Sequence, residues 1–185
     1  MSEKNTNVWT IAEAANGKLK SVSYELLARG RSLADACGEQ LVSVLIGANV
    51  DEAELATLIT HGADLVISVQ DPALSAFIVE TYSNVLIDLV QQRQPNIILA
   101  AATNNGRTLM PHVAMRLHTG LTADCTDLQI DLTTGDLLQT RPAIGGNILA
   151  TIKTPNHRPQ MATVRPRSTQ PLPAAANGLT LSRTI

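Results

Sequence analysis

Residues 98–121 read ILAAATNNGRTLMPHVAMRLHTGL. A continuous apolar run gives way to the polar turn TNNGR and then to apolar residues at helical spacing. A strand, a short turn and a helix in that order form one step of an α/β fold. The turn itself reads in two ways. Free amides at a helix start, with Thr103, Asn104 and Asn105 as caps and Arg107 beside them, suit an anion. Asn105-Gly106 also makes an ordinary tight turn, and one glycine at a strand-to-helix junction is common. Asn105, Gly106 and Arg107 are therefore a weak anion-site candidate.

The same step recurs upstream. Strand patterns at 7–13, 41–47, 63–70 and 96–102 alternate with helix patterns at 21–38, 51–62, 75–94 and 106–120. The strands are unbroken apolar runs, so they are expected to be buried on both faces. That predicts an α/β fold with a mostly parallel sheet and helices on both sides. Gly38 and Gly62 are placed to end their helices. Gly30, inside the first helix, predicts a close contact, because it costs about 1 kcal/mol against alanine there. After Gly120 the texture becomes β-rich, with strand candidates in LTADCTDLQID, DLLQTRPAI, NILATIKT and PQMATVRP. These are expected to extend the same sheet with antiparallel members. The paired Gly145 and Gly146 interrupt the pattern, as a bulge or close backbone approach does. The last segment, RPRSTQPLPAAANGLTLSRTI, reads as a linker or arm.

Composition narrows the function. With 44% hydrophobic and 16% charged residues the chain is globular rather than disordered. A net charge of −2, with Trp9, Tyr24, Phe77 and Tyr82 as its aromatics, argues against nucleic acid, which calls for a basic excess and stacking rings. MSEKNTN lacks a secretory pattern, and no apolar run approaches the roughly 20 residues of a membrane helix, so no membrane insertion and a cytoplasmic location are expected. Neither G-x-G-x-x-G nor a Walker A motif occurs. His112 and His118 stand six apart on one helix, where zinc pairs use i and i+4. No metal or catalytic residue is therefore assigned. Cys37 and Cys125 have no metal-site spacing and read as buried thiols or, less simply, a disulfide. A nucleophilic Cys125 would need a base beside it. PNHRPQMATVRPR reads as a solvated basic loop or as a subunit contact. Gly145, Gly146, Asn147, His157, Arg158 and Arg165 are the interface candidates.

Several of these stretches together resemble a known family. TGLTADC, TRPAIGGN and RPQMATVRP, with VWTIAE, SYELLARGRSLAD and ATNNGRTLMPHVAMRL in the expected order, are similar to the N-terminal domain of the electron transfer flavoprotein α subunit. The resemblance covers about residues 7–166. It implies residues 1–166 as an α/β domain related to adenine-nucleotide α-hydrolase-like proteins, and 167–185 as a linker or arm toward an FAD domain. It further implies a heterodimer with a β subunit, and electron flow from an acyl-CoA dehydrogenase or another donor through FAD to an acceptor. The flavin-binding segments of that family follow the point reached at Ile185. On this basis the chain is a structural and docking domain that binds no cofactor alone, with FAD held in the full α/β complex. By itself it is not an enzyme, is redox-inactive, and hides its partner surface by forming a two-fold homodimer. The TNNGR turn becomes a retained scaffold that takes sulfate, phosphate or a side-chain cap but not AMP or ATP. The rival reading is a stand-alone adenine-nucleotide-binding module, although the G-x2-G-x9-G-[ST] pattern of that class is missing.

Overall fold

The computed structural model describes residues 5–143, 148–175 and 181–183, the last as a backbone path alone. Strand β1 (Val8–Ala12) leads through a small hairpin, β2 (Ala14–Ala15) and β3 (Lys18–Leu19), into helix α1 (Ser21–Cys37). Strand β4 (Leu41–Gly47), α2 (Glu52–Thr60), β5 (Leu65–Gln70), a 3-10 turn (Pro72–Leu74), α3 (Val79–Arg93), β6 (Ile97–Ala101) and α4 (Asn104–Arg116) complete the alternation. Then come β7 (Leu121–Cys125), β8 (Asp127–Ile130), β9 (Leu137–Pro142), β10 (Leu149–Ile152), β11 (Gln160–Val164) and β12 (Leu181–Arg183).

The main sheet has the order β12-β5-β4-β1-β6-β11-β7, and every pairing in it is parallel. Alternate residues of its central strands feed two separate cores. Val8, Leu41, Leu45 and Leu99 pack with Leu27, Leu33 and Leu58 of α1 and α2. Trp9, Val44, Ile67 and Ile98 pack with Leu86, Leu109 and Met110 of α3 and α4. Burial on both faces is why these strands lack a polar alternate position. Gly30 has the expected close contact: a Cβ there would stand 2.7 Å from Leu41 Cδ1 and 2.8 Å from Thr10 Cγ2. Gly38 ends α1 at φ +65°, in the left-handed region that glycine favours.

Three expectations are corrected. The C-terminal third does not extend the main sheet with antiparallel members. Instead β7 and β11 enter it in parallel, while β10-β9-β8 form a separate antiparallel sheet. Leu128 and Leu137 of that small sheet pack into the α1 core, which gives its inner face a place to bury. The helix expected at 75–94 begins only at Val79, because Asp71 accepts the Ala73 amide (2.8 Å) and starts a separate 3-10 turn. Tyr82 then donates its hydroxyl to the Leu74 carbonyl at 2.8 Å and stacks edge-on against Phe77, fixing the intervening residues outside the helix. Helix α4 starts at Asn104 rather than Gly106, since Thr103 is its cap.

The segment after Arg165 turns back over α1 and α2. The Arg167 amide donates to the Glu25 carboxylate, and the Ala175 amide donates to the Thr60 carbonyl at 2.8 Å. Leu181–Arg183 then lies parallel to β5. No helix among the described residues is long and apolar enough to cross a membrane.

Candidate functional site

Strand order reverses at β1. The chain leaves it for β4 and β5 on one side and returns to β6 on the other. The crevice at the carboxyl ends of β1 and β6 is where open α/β sheets bind ligands. Here two of this chain's own side chains meet in it. Glu13, directly after β1, accepts a hydrogen bond from the Thr103 hydroxyl and an ion pair from Lys20 Nζ at 2.9 Å. Thr103 Oγ1 in turn accepts the Gly106 amide at 3.1 Å, capping α4. Ser23 accepts the Glu13 amide and donates to its carbonyl, at 2.9 and 3.1 Å. The Glu13 side chain is only 10% exposed. A carboxylate thus stands at the helix N-terminus, where the positive end of the helix dipole attracts a negative charge.

The neighbouring position is occupied in the same way. Val50, after β4, gives its amide to Gln70 Oε1 (2.8 Å) and receives Gln70 Nε2 on its carbonyl (3.0 Å). A donor–acceptor pair of that kind is what the edge of an adenine needs, and a side-chain amide holds it. The β2-β3 hairpin lies close by. Lys18 pairs with Glu54 at 2.7 Å and the Leu19 amide bonds the same carboxylate at 3.1 Å.

Of the weak anion candidates, Asn105 lies in the first turn of α4, and Gly106 serves close packing. A Cβ on Gly106 would sit 1.9 Å from the Ala101 carbonyl oxygen. Arg107 is directed elsewhere: its Nε donates to the Ala102 carbonyl (2.8 Å), and Nη2 reaches Asp124 at 3.4 Å. Asp124 also takes Arg165 in a two-point contact, Nε at 3.2 Å and Nη2 at 2.6 Å. A break in the β7–β11 register aims Asp124 this way. The residue has φ +62°, and its amide donates to Thr163 Oγ1 at 2.9 Å. The Arg165 guanidinium holds the Asp124 carboxyl below the usual carboxylate range, with smaller help from Arg107 and Arg141.

The interface candidates divide. Arg158 precedes β11 and Arg165 follows it, so one basic motif is divided between opposite ends of that strand. Arg158 is engaged with Asp136 at 3.2 Å and with the carbonyls of Thr154, Pro155 and His157. His157 is exposed in the same loop. Gly145, Gly146 and Asn147 lie outside the described residues. Glu13, Lys20, Gln70 and Asp124 were missed by sequence reasoning. No local pattern singles these four out, because the strand order that brings them to the site is not readable from spacing.

His112 shares a hydrogen bond with Ser83 Oγ at 2.9 Å, while His118 ends its helix at φ +53°. The two cysteines are not joined in a disulfide. Cys125 is buried, its thiol donates to the Thr122 carbonyl, and burial pushes its pKa up to about 11. That value favours the protonated thiol over the reactive thiolate at neutral pH. Iodoacetamide at pH 8 is expected to spare Cys125 in the folded chain and label it only after denaturation, as read by peptide mass mapping. Rapid labelling of the native chain at Cys125 would contradict this burial.

Comparison with known proteins places these features. A family model described as the electron transfer flavoprotein domain matches residues 8–181. The chain is 48% identical over 166 residues to the electron transfer flavoprotein subunit alpha of Clostridium acetobutylicum, covering 90% of this chain and 49% of that protein. It is 49% identical over 159 residues to the protein FixB of Clostridium saccharobutylicum, covering 86% and 47%. It is 46% identical over 149 residues to the subunit LctC of the lactate dehydrogenase (NAD(+),ferredoxin) of Acetobacterium woodii, covering 80% and 35%. The chain thus spans about half the length of the first two relatives.

Proposed function

The chain belongs to the electron transfer flavoprotein domain family, and from that premise we propose that it is the N-terminal structural and docking domain of an α-type subunit. In this reading it works with a flavin-bearing domain and a β-type partner subunit, and FAD is held by them rather than by this domain. The full assembly passes electrons from a dehydrogenase through FAD to an acceptor. One relative is named as a subunit of a lactate dehydrogenase, so acyl-CoA oxidation is one donor chemistry among others in this reading.

The observation that carries the proposal is the contrast between a crevice where the chain's own side chains pair with one another and an open edge. Glu13 and Thr103 meet in the switch-point crevice, and beside it Gln70 holds both backbone groups of Val50. The small sheet, by contrast, ends in β10, which pairs with β9 alone among the described residues. Leu149, at 66% exposure, and the adjoining Ile148 and Ile152 line this edge. An exposed apolar edge strand is an aggregation hazard unless something covers it. A partner subunit that pairs with β10 removes the hazard and gains affinity from main-chain hydrogen bonds.

The test is to purify the chain alone and with its β-type subunit. Alone it is expected to be colourless from 350 to 500 nm. Mixed with the β-type subunit it is expected to elute as a stoichiometric complex. Leu149→Lys should abolish that complex without lowering the melting temperature. A stoichiometric flavin spectrum from the lone chain, or no complex with the native sequence, would reject the reading.

A further inference from the structure

We propose that Arg107 and Arg165, braced side by side on Asp124 at the carboxyl edge of the sheet, receive an acidic side chain of the β-type partner subunit. The inference rests on the docking reading and adds a second, electrostatic contact to it. Arg107 is 57% exposed and Arg165 45%, against 25% for the Asp124 they share. Arg165 spends Nε and Nη2 on Asp124, and Arg107 spends Nε on the Ala102 carbonyl and Nη2 on Asp124. Among the described residues, each guanidinium therefore keeps its Nη1 donors for another acceptor. Two fixed cations share one anion, and Arg141 stands near enough to act on the same carboxylate. The spot is thus positive on a chain whose overall charge is −2. That local reversal of sign is the charge complementarity an acidic partner recognises.

The geometry favours a carboxylate carried by a protein over a free anion. The cluster lies on an open edge. An ion held there by exposed guanidinium groups competes with water and salt and gains little. A partner surface that covers the cluster removes that competition. The planar two-point match between guanidinium and carboxylate then fixes orientation as well as affinity. Asp124 supplies the bracing: its position on the register break presents the carboxylate to both arginines at once. Arg141 pairs in register with Ala150 of β10, so the cluster lies toward the same side as the exposed apolar strand. One partner can cover both.

The experiment measures the affinity of this chain for its β-type subunit at 50 and 500 mM NaCl. It uses the native chain, Arg107→Gln, and the double variant Arg107→Gln/Arg165→Gln, with melting temperatures recorded for each. The native complex should weaken about tenfold or more across that salt range. The double variant should bind about tenfold or more weakly at low salt and lose most of the salt dependence. Arg107→Gln changes only the most exposed member, so it reads the contact even if the double variant is unstable; a several-fold loss is expected. Native-like affinity and salt dependence in Arg107→Gln would overturn the inference, and so would micromolar binding of inorganic phosphate to the native chain alone. In either case a native complex that Leu149→Lys still abolishes would leave the docking reading standing. No native complex at either salt concentration would overturn both.

Discussion

Gly106→Ala is expected to destabilise this domain by about 3 kcal/mol or more, the largest effect of any single methyl addition considered in this fold. A Cβ there would stand 1.9 Å from the Ala101 carbonyl oxygen and 3.1 Å from its carbon. Those are backbone atoms at the end of the buried strand β6, so no side chain can swing aside. Either α4 lifts from the sheet or β6 bends. Lifting α4 breaks the Thr103 cap and draws Thr103 from Glu13. It also loosens Leu109, Met110 and Val113, which are buried against β6 and α3. The better helix propensity of alanine returns only about 1 kcal/mol. For a domain of this size the net loss corresponds to a fall in Tm of roughly 6–12 °C. Gly135→Ala serves as the control. Its φ is +74°, but nothing lies within 4 Å, so only the backbone penalty of about 1 kcal/mol applies. Thermal and urea unfolding of both variants checks the contrast. A Gly106→Ala protein melting within a degree of the native chain would show that α4 approaches β6 less closely than described.

The second large effect is an expected failure to bind. Calorimetric titration of AMP and ATP into the chain should give no saturable heat below millimolar nucleotide. A functional nucleotide module would bind at micromolar, a difference of about 4 kcal/mol. The physical argument has two halves. A phosphate needs the free amides and positive field at the start of α4, and the Glu13 carboxylate already lies there, salt-bridged to Lys20. An incoming dianion would meet that negative charge at close range. An adenine edge needs a backbone donor and acceptor at one residue, and Gln70 holds both groups of Val50. Evicting Gln70 would exchange two made hydrogen bonds for two others, with no net gain. A stoichiometric micromolar dissociation constant would overturn this account and promote the nucleotide-binding reading.

What could be read from the sequence was what depends on local periodicity. Unbroken apolar strands such as LVSVLIG and NIILAAA, alternating with helical spacing, are enough to predict a parallel sheet buried on both faces. The stop at Gly38 and the close contact at Gly30 follow from what glycine permits. The family resemblance was also available, because TGLTADC and RPQMATVRP are specific strings. The β-rich third was harder. Periodicity reports whether a strand is buried, not which strand lies beside it. Hence it could not tell that β7 and β11 enter the main sheet in parallel while β8, β9 and β10 leave it.

The site was decided by the tertiary structure alone. Glu13 meets Thr103 only because β1 and β6 are neighbours across the reversal in strand order. Arg107 and Arg165 meet only because β11 runs between β6 and β7 and a register break turns Asp124 toward both. The same strand separates Arg158 from Arg165, which the sequence places in one basic motif. Side chains that far apart in the chain are brought together or kept apart by crossovers and register, and those are set by the packing of the whole domain.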